Sequence, residues 1–521
     1  MWKKLLITGC VTFSLLSGGT LSAQPSCEIK EEVTSEQLDR TQKELVAMMK
    51  ELKNDSYFQT ELDKAAVQSS LSKRMAAYKD LTVRLLSVLE IQAELEWMKP
   101  EAIQEALGIM KKSSGFDAVL ADKRFGELKS LLAGGFDGIY TGDAQAIDKA
   151  NKTLTLKRKL MLMSPDVNVD KMLTVKFDLG ERANFVGAGS LGIQPNNWSN
   201  LSSASRKNFK AQLVELSGLQ SGELSEKVLY KPAVDGSSVT DLVLNWDGKR
   251  LMFTALDTTR RWQVHELDIN NGEAKQVTNI PEPDLEFFDG TYLPDGRMLA
   301  ISNIGYQGVP CVNGSDAVGN MVLYDPSNGY LRRLTFDQDA NWHPVVMANG
   351  KVMYVRWEYT DLTHYFSRIV MHMNPDGTEQ KSLYGSGSMF PNSIFDVQPL
   401  PKHTNRFVGV ISGHHGVARS GRLMIFDPAK SRKEEKGMIQ ELPFRGRPII
   451  PEVKDELVNG VWPQFIKPYP LTDETFLVTA KLSPYSRWGI YLVDIYDNLT
   501  LVANADDAGM IYSVPVKSTP I

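Results

Sequence analysis

Residues that could bind a metal ion or a small ligand are concentrated between Cys311 and Arg419. Most of them follow strand-like runs, so loops from neighbouring strands could bring them together. Histidine, cysteine and carboxylate side chains are the usual ligands of Zn²⁺ and other borderline divalent metals. The candidate metal ligands are Cys311, His364, His414 and His415. The candidate ligand-binding residues are Trp357, Glu358, Asp361, Tyr365 and Arg368.

Each of these candidates also has a structural interpretation. Trp357 is typical of an aromatic residue packed between strands, and Asp361 could cap a turn through backbone amides. Arg368 could hold a loop through a buried ion pair, and Cys311 could be a buried, inert thiol. The pair His414-His415 lies between glycines. Neighbouring residues of a strand face opposite sides, but in a loop both histidines can turn inward.

Several classes of function are not indicated by the sequence. No nucleophile elbow, phosphate-binding loop or zincin helix motif is present. No Cys-x-x-Cys-His motif occurs, so no c-type haem is expected. The net charge of −5 comes from interspersed charges of both signs, which argues against nucleic acid as a partner. The expected partner is therefore an unidentified small ligand or a periplasmic protein.

The first 23 residues predict a cleaved signal peptide. Lys3-Lys4 precedes a mostly apolar stretch over residues 5–16, and Leu21-Ser22-Ala23 supplies the small residues that a signal peptidase requires. Cleavage after Ala23 places the protein in the periplasm or outside the cell. A lipid anchor at Cys10 is the less favoured alternative, because too short an apolar stretch precedes it. No later apolar run reaches the roughly 20 residues that would span a bilayer.

Residues 24–165 predict an α-helical segment. Leu38, Leu45 and Leu52 recur at the spacing of one face of an amphipathic helix. Pro100 is suited to the first turn of another helix. Further helices are expected near residues 117–132 and 143–162. No catalytic group of polar residues occurs here, so the segment is interpreted as a packing or dimerisation unit.

After Pro165 the pattern changes to short β-rich runs separated by turn signals. Four such runs, over residues 242–245, 249–253, 262–268 and 274–278, predict a four-stranded meander of the kind that forms one propeller blade. Further repeats begin at Gly290, His343, Phe395 and Phe465, and His343 is interpreted as structural.

The first repeat lacks its innermost strand, whereas the C-terminal run over residues 511–516 is a spare strand of that character. If this run joins the first repeat, the sheet closes on itself and leaves no free edge. The sequence therefore predicts a mainly β protein in which residues 166–521 form a six-bladed β-propeller. The C-terminal strand closes blade one, and the α-helical segment precedes the ring.

A series of longer motifs follows one another along the strand-rich region. The series comprises Gly290-Thr291-Tyr292-Leu293-Pro294-Asp295-Gly296, Asn341-Trp342-His343-Pro344, Arg356-Trp357-Glu358-Tyr359-Thr360-Asp361 and Ser412-Gly413-His414-His415-Gly416-Val417. In this order the motifs resemble proteins related to the hydrazine synthase alpha subunit, over roughly residues 167–521. The resemblance implies a propeller like that of the periplasmic translocation protein of the Tol system, with a ligand site on its rim. It does not imply hydrazine synthesis, since the synthase subunit is a multihaem protein.

Three functions are compatible with these observations. The first is an exported propeller that binds a small ligand, a metal or a protein partner at its loop rim. The second is a metal-dependent periplasmic enzyme with a His/Cys/carboxylate site. The third is an assembly or scaffold subunit of a redox complex, docked through the helical segment. Fold alone does not decide between them, and whether the protein is an enzyme is left open.

Overall fold

The computed structural model describes residues 33–178, 199–207, 209–358, 367–414, 417, 419–505 and 508–520, with the side chains of Asp178 and Cys311 left out. The described residues contain six α-helices and 24 β-strands. The helices are α1 (Ser35–Met49), α2 (Ser56–Ala66), α3 (Leu71–Leu95), α4 (Pro100–Met110), α5 (Ala118–Leu132) and α6 (Ala144–Met161). None of them is both long enough and apolar enough to cross a membrane.

The helix boundaries follow the capping signals in the sequence. The side chain of Thr34 accepts a hydrogen bond from the Gln37 amide, and the Gln37 side chain accepts one from the Thr34 amide, which makes a capping box for α1. Pro100 occupies the first turn of α4, as predicted. Asp117 and Asp143 cap α5 and α6 by accepting backbone N–H groups.

The described strands all follow the described helices. They are β1 (Lys171–Asp178), β2 (Ala211–Ser217), β3 (Ser225–Tyr230), β4 (Thr240–Leu244), β5 (Arg250–Leu256), β6 (Trp262–Asp268), β7 (Ala274–Gln276), β8 (Phe287–Tyr292), β9 (Met298–Ser302), β10 (Asn320–Asp325), β11 (Tyr330–Arg333) and β12 (Asn341–Val346). The second half contains β13 (Val352–Trp357), β14 (Arg368–Met373), β15 (Lys381–Tyr384), β16 (Ser393–Pro399), β17 (Phe407–Ser412), β18 (Arg422–Phe426), β19 (Met438–Leu442), β20 (Gln464–Pro470), β21 (Thr475–Lys481), β22 (Gly489–Asp494), β23 (Leu499–Ala503) and β24 (Ala508–Pro515).

The strands form antiparallel meanders of four. Separate sheets contain β4–β7, β8–β11 and β20–β23, each paired in chain order. The meanders β12–β15 and β16–β19 are joined in one eight-stranded sheet, because Arg368 of β14 pairs in parallel with Ser393 of β16. The sequence predicts these two repeats as separate blades; the observed link is this single residue pair.

The remaining sheet joins the two ends of the strand-rich region in the order β24-β1-β2-β3. β24 pairs antiparallel with β1, for example through Leu173 and Val514. This confirms the prediction that the C-terminal strand supplies the innermost strand of the first repeat.

The helical segment packs directly against the sheets. α4, α5 and α6 share an apolar core with β1, β22, β23 and β24. Within the contact region, the ammonium group of Lys157 in α6 donates hydrogen bonds to the carbonyl oxygens of Trp97 and Leu499, at 2.6 and 2.8 Å. The carboxylate of Glu90 pairs with Arg487 at 2.6 Å. A buried cation on carbonyl oxygens and a two-residue ion pair therefore fix α3 and α6 to the last repeat.

Candidate functional site

Each innermost strand contains a non-glycine residue with a left-handed backbone conformation. These residues, with φ between 50° and 72°, are Asp241, Asp289, His343, Asp396, Lys467 and Tyr512. We call them the polar ring. Such φ values are unfavourable for residues with a Cβ atom, and they persist only where the surrounding structure enforces them. Strained positions of this kind cluster at functional sites.

A β-bulge accompanies each of these residues. The register of β4 against β5 shifts between Thr240 and Val243, and equivalent shifts occur in β8, β12, β16 and β20. In the pairing of β1 with β24, the shift lies opposite Tyr512. A bulge interrupts the ladder and turns one side chain to a new direction. The bulges thus explain how one polar residue per innermost strand faces its counterparts in the other sheets.

Hydrogen bonds connect the polar ring from one sheet to the next. The Asp289 amide donates to the Asp241 carboxylate at 3.0 Å, and the His343 amide donates to the Asp289 carboxylate at 2.6 Å. The Lys467 amide likewise donates to Asp396 at 3.1 Å. These side chains accept N–H groups at the positions where the bulges interrupt the ladder.

The remaining contacts complete a cycle. The Nε2 atom of His343 lies 3.2 Å from Asp396 Oδ1, and the Nζ atom of Lys467 lies 2.8 Å from the same oxygen. Lys467 Nζ also lies 5.4 Å from the centre of the Tyr512 phenol ring. The Asp241 amide donates to the Tyr512 hydroxyl at 2.7 Å. The contacts therefore pass through all six innermost strands and return to the first.

The charges of the polar ring shift one another's pKa values. Burial raises the pKa of Asp241, and the nearby Asp289 carboxylate adds to this effect. Burial also acts to raise the pKa of Asp289, but the positive charges of His343 and Lys467 outweigh it and lower the value to about 2. Burial also acts to raise the pKa of Asp396, but Lys467 and His343 outweigh burial and keep this pKa below its ordinary value. Asp241 is therefore the carboxyl group of the ring that is least compensated by positive charge.

A cavity of about 80 Å³ adjoins the polar ring. Beyond the ring it is lined by residues further along the same strands, toward the tight turns after β4, β8 and β12; they include Val243, Pro344, Val345, Gln398, Pro468, Tyr469, Ser513 and Val514. Ser513 is 2% exposed, and its hydroxyl has no hydrogen-bond partner among the described residues. A buried hydroxyl without a partner is unfavourable unless a water or a ligand satisfies it.

The opposite side of the polar ring is covered by residues 199–201. A second cavity, of about 20 Å³, lies between them and the ring. The indole N–H of Trp342 donates to the Ser199 carbonyl at 3.1 Å, and the guanidinium of Arg419 donates to the same oxygen. Arg419 is buried against Trp342 and Phe395, and burial lowers its pKa to about 10. We call residues 199–201 the strap.

The predicted ligand-binding residues are only partly described. Trp357 is 2% exposed and stacks on Trp342 with ring centres 6.4 Å apart. Arg368 is fully buried, with its guanidinium 4.4 Å from the centre of the Trp357 ring. Glu358 forms an ion pair with Arg356. Asp361 and Tyr365 lie outside the described residues. The structure therefore brings Trp357 and Arg368 together and links them through Trp342 to the strap.

Of the four predicted metal ligands, only His414 has a side chain that the structure describes. His364 and His415 lie outside the described residues, as does the side chain of Cys311. His414 is 1% exposed, and its Nδ1 atom lies 3.3 Å from Asp455 Oδ1. The described part of the chain contains no group of three or more His, Cys, Asp or Glu side chains placed to hold a metal ion. The four-residue metal site stays a prediction.

The polar ring was not predicted from the sequence, although the spacing of its residues from the following turns would have indicated it. Asp241, Asp289 and His343 each stand seven residues before the glycine of the following turn, at Gly248, Gly296 and Gly350. Aligning the repeats on these turns would have shown a column of polar residues in strands that are otherwise apolar. Such a column is unexpected for structural reasons alone, because it places charge in the interior.

No family model and no curated protein matches the sequence. Among solved structures, hydrazine synthase from Kuenenia stuttgartiensis is similar at 15% identity and a TM-score of 0.47, over 68% of this chain and 48% of that one. TolB from Acinetobacter baumannii is similar at 10% identity and a TM-score of 0.41, over 70% and 72%.

These likenesses are too distant to carry an argument about function. The chain spans about half the length of the hydrazine synthase chain that it matches. A specific relation to the hydrazine synthase alpha subunit stays a prediction.

Proposed function

We propose that the protein is an exported six-bladed β-propeller that binds a small polar ligand in the cavity beside the polar ring. Six meanders of four strands and a cycle of contacts through their innermost strands support the blade number. Export follows from the predicted signal peptide. The resemblance to proteins related to the hydrazine synthase alpha subunit supports the same architecture, without haem chemistry.

The unsatisfied hydroxyl of Ser513 is the observation that carries the proposal. Ser513 lines a cavity whose wall also contains three carboxyl groups, an imidazole, an ammonium and the phenols of Tyr469 and Tyr512. Binding sites combine a mostly apolar wall with a few convergent polar groups, and this cavity has both. Its volume of about 80 Å³ is well below the roughly 300–1,000 Å³ of sites for drug-sized molecules, so the ligand is small.

The ligand reaches the cavity from the side opposite the strap. Val243, Val345, Gln398 and Tyr469 line this side and are only half-buried, whereas the strap covers the other side. His414, the described residue of the predicted metal site, does not line this cavity. The two sites are therefore independent proposals.

Two measurements test the proposed site beside the polar ring. Native mass spectrometry of freshly purified protein, before and after denaturation, detects a ligand that is carried through purification. Ligand-detected NMR with propylammonium, 1-propanol and propionate then tests small polar probes of different charge. We expect binding to be lost in Ser513→Leu, which fills the cavity, and kept in Ser302→Ala. Ser302 is a matched control, since its buried hydroxyl also lacks a partner but lies outside the cavity.

The outcomes are distinct. Binding that depends on Ser513 supports the proposal. If no ligand copurifies and no probe binds in a Ser513-dependent manner, the polar ring only joins the sheets and the proposal is wrong.

A metal-dependent enzyme is the second candidate, favoured by the contact between His414 and Asp455. A carboxylate at Nδ1 is the usual partner of a histidine that binds a metal through Nε2. Elemental analysis of protein purified without chelators tests this candidate. Absence of stoichiometric Zn²⁺ or another divalent metal, together with an unchanged melting temperature in His414→Ala, would exclude it.

A further inference from the structure

The charged groups that line the two cavities balance one another. Three of them are carboxyl groups, on Asp241, Asp289 and Asp396. Three are groups that carry a positive charge when protonated, on His343, Arg419 and Lys467. With all six groups ionised, the cluster has no net charge.

The contacts within the polar ring pair these charges with one another. Lys467 Nζ lies 2.8 Å from Asp396 Oδ1. The Nδ1 atom of His343 lies 3.3 Å from Asp289 Oδ2, and its Nε2 atom lies 3.2 Å from Asp396 Oδ1. Both ring nitrogens are donors only in the protonated imidazole, so two carboxylates favour the positively charged form of His343. The ring therefore supplies its own counter-charges.

The balance also holds when one proton moves within the cluster. Burial and the Asp289 carboxylate raise the pKa of Asp241, and histidine side chains titrate near neutral pH. A proton that moves from His343 to Asp241 removes one positive and one negative charge, so the sum stays at zero. A net gain or loss of a proton would leave a buried charge without compensation, which is strongly unfavourable.

Uncharged polar groups complete the wall of the larger cavity. The Ser513 hydroxyl is buried and has no hydrogen-bond partner among the described residues. The side-chain amide of Gln398 lines the same cavity and is half-buried. A hydroxyl and an amide each offer both a donor and an acceptor. The apolar part of the wall is formed by Val243, Val345 and Val514.

From the balanced charges and these uncharged groups we infer that the ligand of the cavity is a small uncharged molecule whose polar group both donates and accepts hydrogen bonds, as a hydroxyl or a carboxamide does. This polar group bonds to Ser513 and Gln398, and a short apolar part lies against the three valines. The ligand leaves the charges of the ring unchanged. This inference rests on the proposed function and specifies its ligand class.

Charged ligands fit less well, because they disturb the balance. An ammonium or a carboxylate ion would bring into the cavity a charge that no group there compensates, and it would lose its hydration on entry. A zwitterion has no net charge, but its separate charges would compete with contacts already made inside the ring, Lys467 with Asp396 and His343 with Asp289.

Isothermal titration calorimetry at pH 7 and constant ionic strength tests the ligand class with four small probes. They are 1-propanol, propylammonium, propionate and the zwitterion glycine. We expect 1-propanol to bind at least about tenfold more tightly than each charged probe, because the cavity does not replace the hydration that a charged group loses. This ranking is measured on the wild-type protein and needs no variant.

Gln398→Glu tests the charge balance itself. It adds a carboxylate to the cavity wall, so propylammonium should bind this variant at least about tenfold more tightly than the wild type, in line with the strength of hydrogen bonds between charged groups. Gln220→Glu is the matched control. It adds the same charge at an exposed position outside the cavity and should leave all four affinities unchanged.

The possible results separate the two proposals. Ser513-dependent binding of a charged probe with equal or higher affinity than 1-propanol overturns the uncharged assignment but leaves the cavity as a ligand site. Equal propylammonium affinity in wild type and Gln398→Glu also overturns the assignment. Binding of none of the probes, with no copurified ligand, overturns both the assignment and the proposed function.

Discussion

Replacing Lys467 with methionine should destabilise the protein, because Lys467 is the central cation of the polar ring. Its ammonium lies 2.8 Å from Asp396, and its side chain is 12% exposed. Burial acts to lower the pKa of Lys467, but the carboxylate of Asp396 and its neighbours outweigh burial and raise it. Methionine preserves the length of the side chain and removes only the charge.

The size of the effect follows from the burial of the pair. Removing one partner of a buried ion pair costs about 3–5 kcal/mol, because the other charge is left without compensation. Unfolding entropy is about 2.1 cal/mol/K per residue, or about 0.7 kcal/mol/K for a unit of roughly 350 residues. The melting temperature of Lys467→Met should therefore fall by about 4–7 °C at pH 7.

Thermal unfolding followed by circular dichroism measures this shift, with two further variants for comparison. Lys381→Met removes an exposed cation that lies 3.4 Å from Glu379, and should change stability by at most about 0.5 kcal/mol. The double variant Lys467→Met/Asp396→Asn should recover part of the loss, since it no longer leaves a charge without a partner.

The loss in Lys467→Met should also depend on pH. The pKa of Asp396 in the folded protein is lowered from its ordinary value of 3.8, as Lys467 and His343 outweigh the effect of burial. The stabilisation from this carboxylate is therefore complete above that value and disappears as pH falls through the lower, folded pKa. The difference between wild type and variant should narrow in acid. A melting temperature within 1 °C of wild type at pH 7, or a difference that does not narrow below pH 4, would refute the reasoning.

Three further predictions concern contacts outside the ring. Lys157→Met removes the hydrogen bonds to Trp97 and Leu499 and should increase limited proteolysis between α6 and β1; an unchanged cleavage rate would show that the apolar core alone docks the helices. Trp342→Phe loses the bond to Ser199 and should destabilise by about 1 kcal/mol in chemical denaturation, whereas a wild-type midpoint would mean that Arg419 suffices to hold the strap. Deletion of residues 508–521 leaves β1 as an open edge and should give aggregated protein in size-exclusion chromatography; a stable monomer would contradict the role assigned to β24.

Elements with strong local signals were predictable from the sequence. The helix starts at Pro100, Asp117 and Asp143 follow from capping preferences, and the structure confirms them. Turn signals located the four-stranded meanders. The pairing of β24 with β1 was predictable because a spare strand and an incomplete repeat occur in one chain.

The polar ring was not predictable by the same reasoning. Strand periodicity assumes strict alternation, and each bulge breaks the alternation at the residue that matters. A left-handed conformation is expected for glycine or asparagine, not for His343 or Lys467. The residue types therefore did not indicate the unusual backbone at these positions. The strap was not predictable either, because its contacts with Trp342 and Arg419 span more than 140 residues of sequence and depend on how the sheets pack together.

The pairing of β24 with β1 also has a consequence for the order in which the protein is made. Tyr512 and Ser513 belong to the last strand of the described chain, while Asp241 lies some 270 residues earlier. A nascent chain that lacks this strand therefore contains most of the cavity wall but not the complete cavity. Affinity for the proposed ligand should appear only when the C-terminal strand is inserted, so that binding would report completed folding and would stabilise the finished molecule alone.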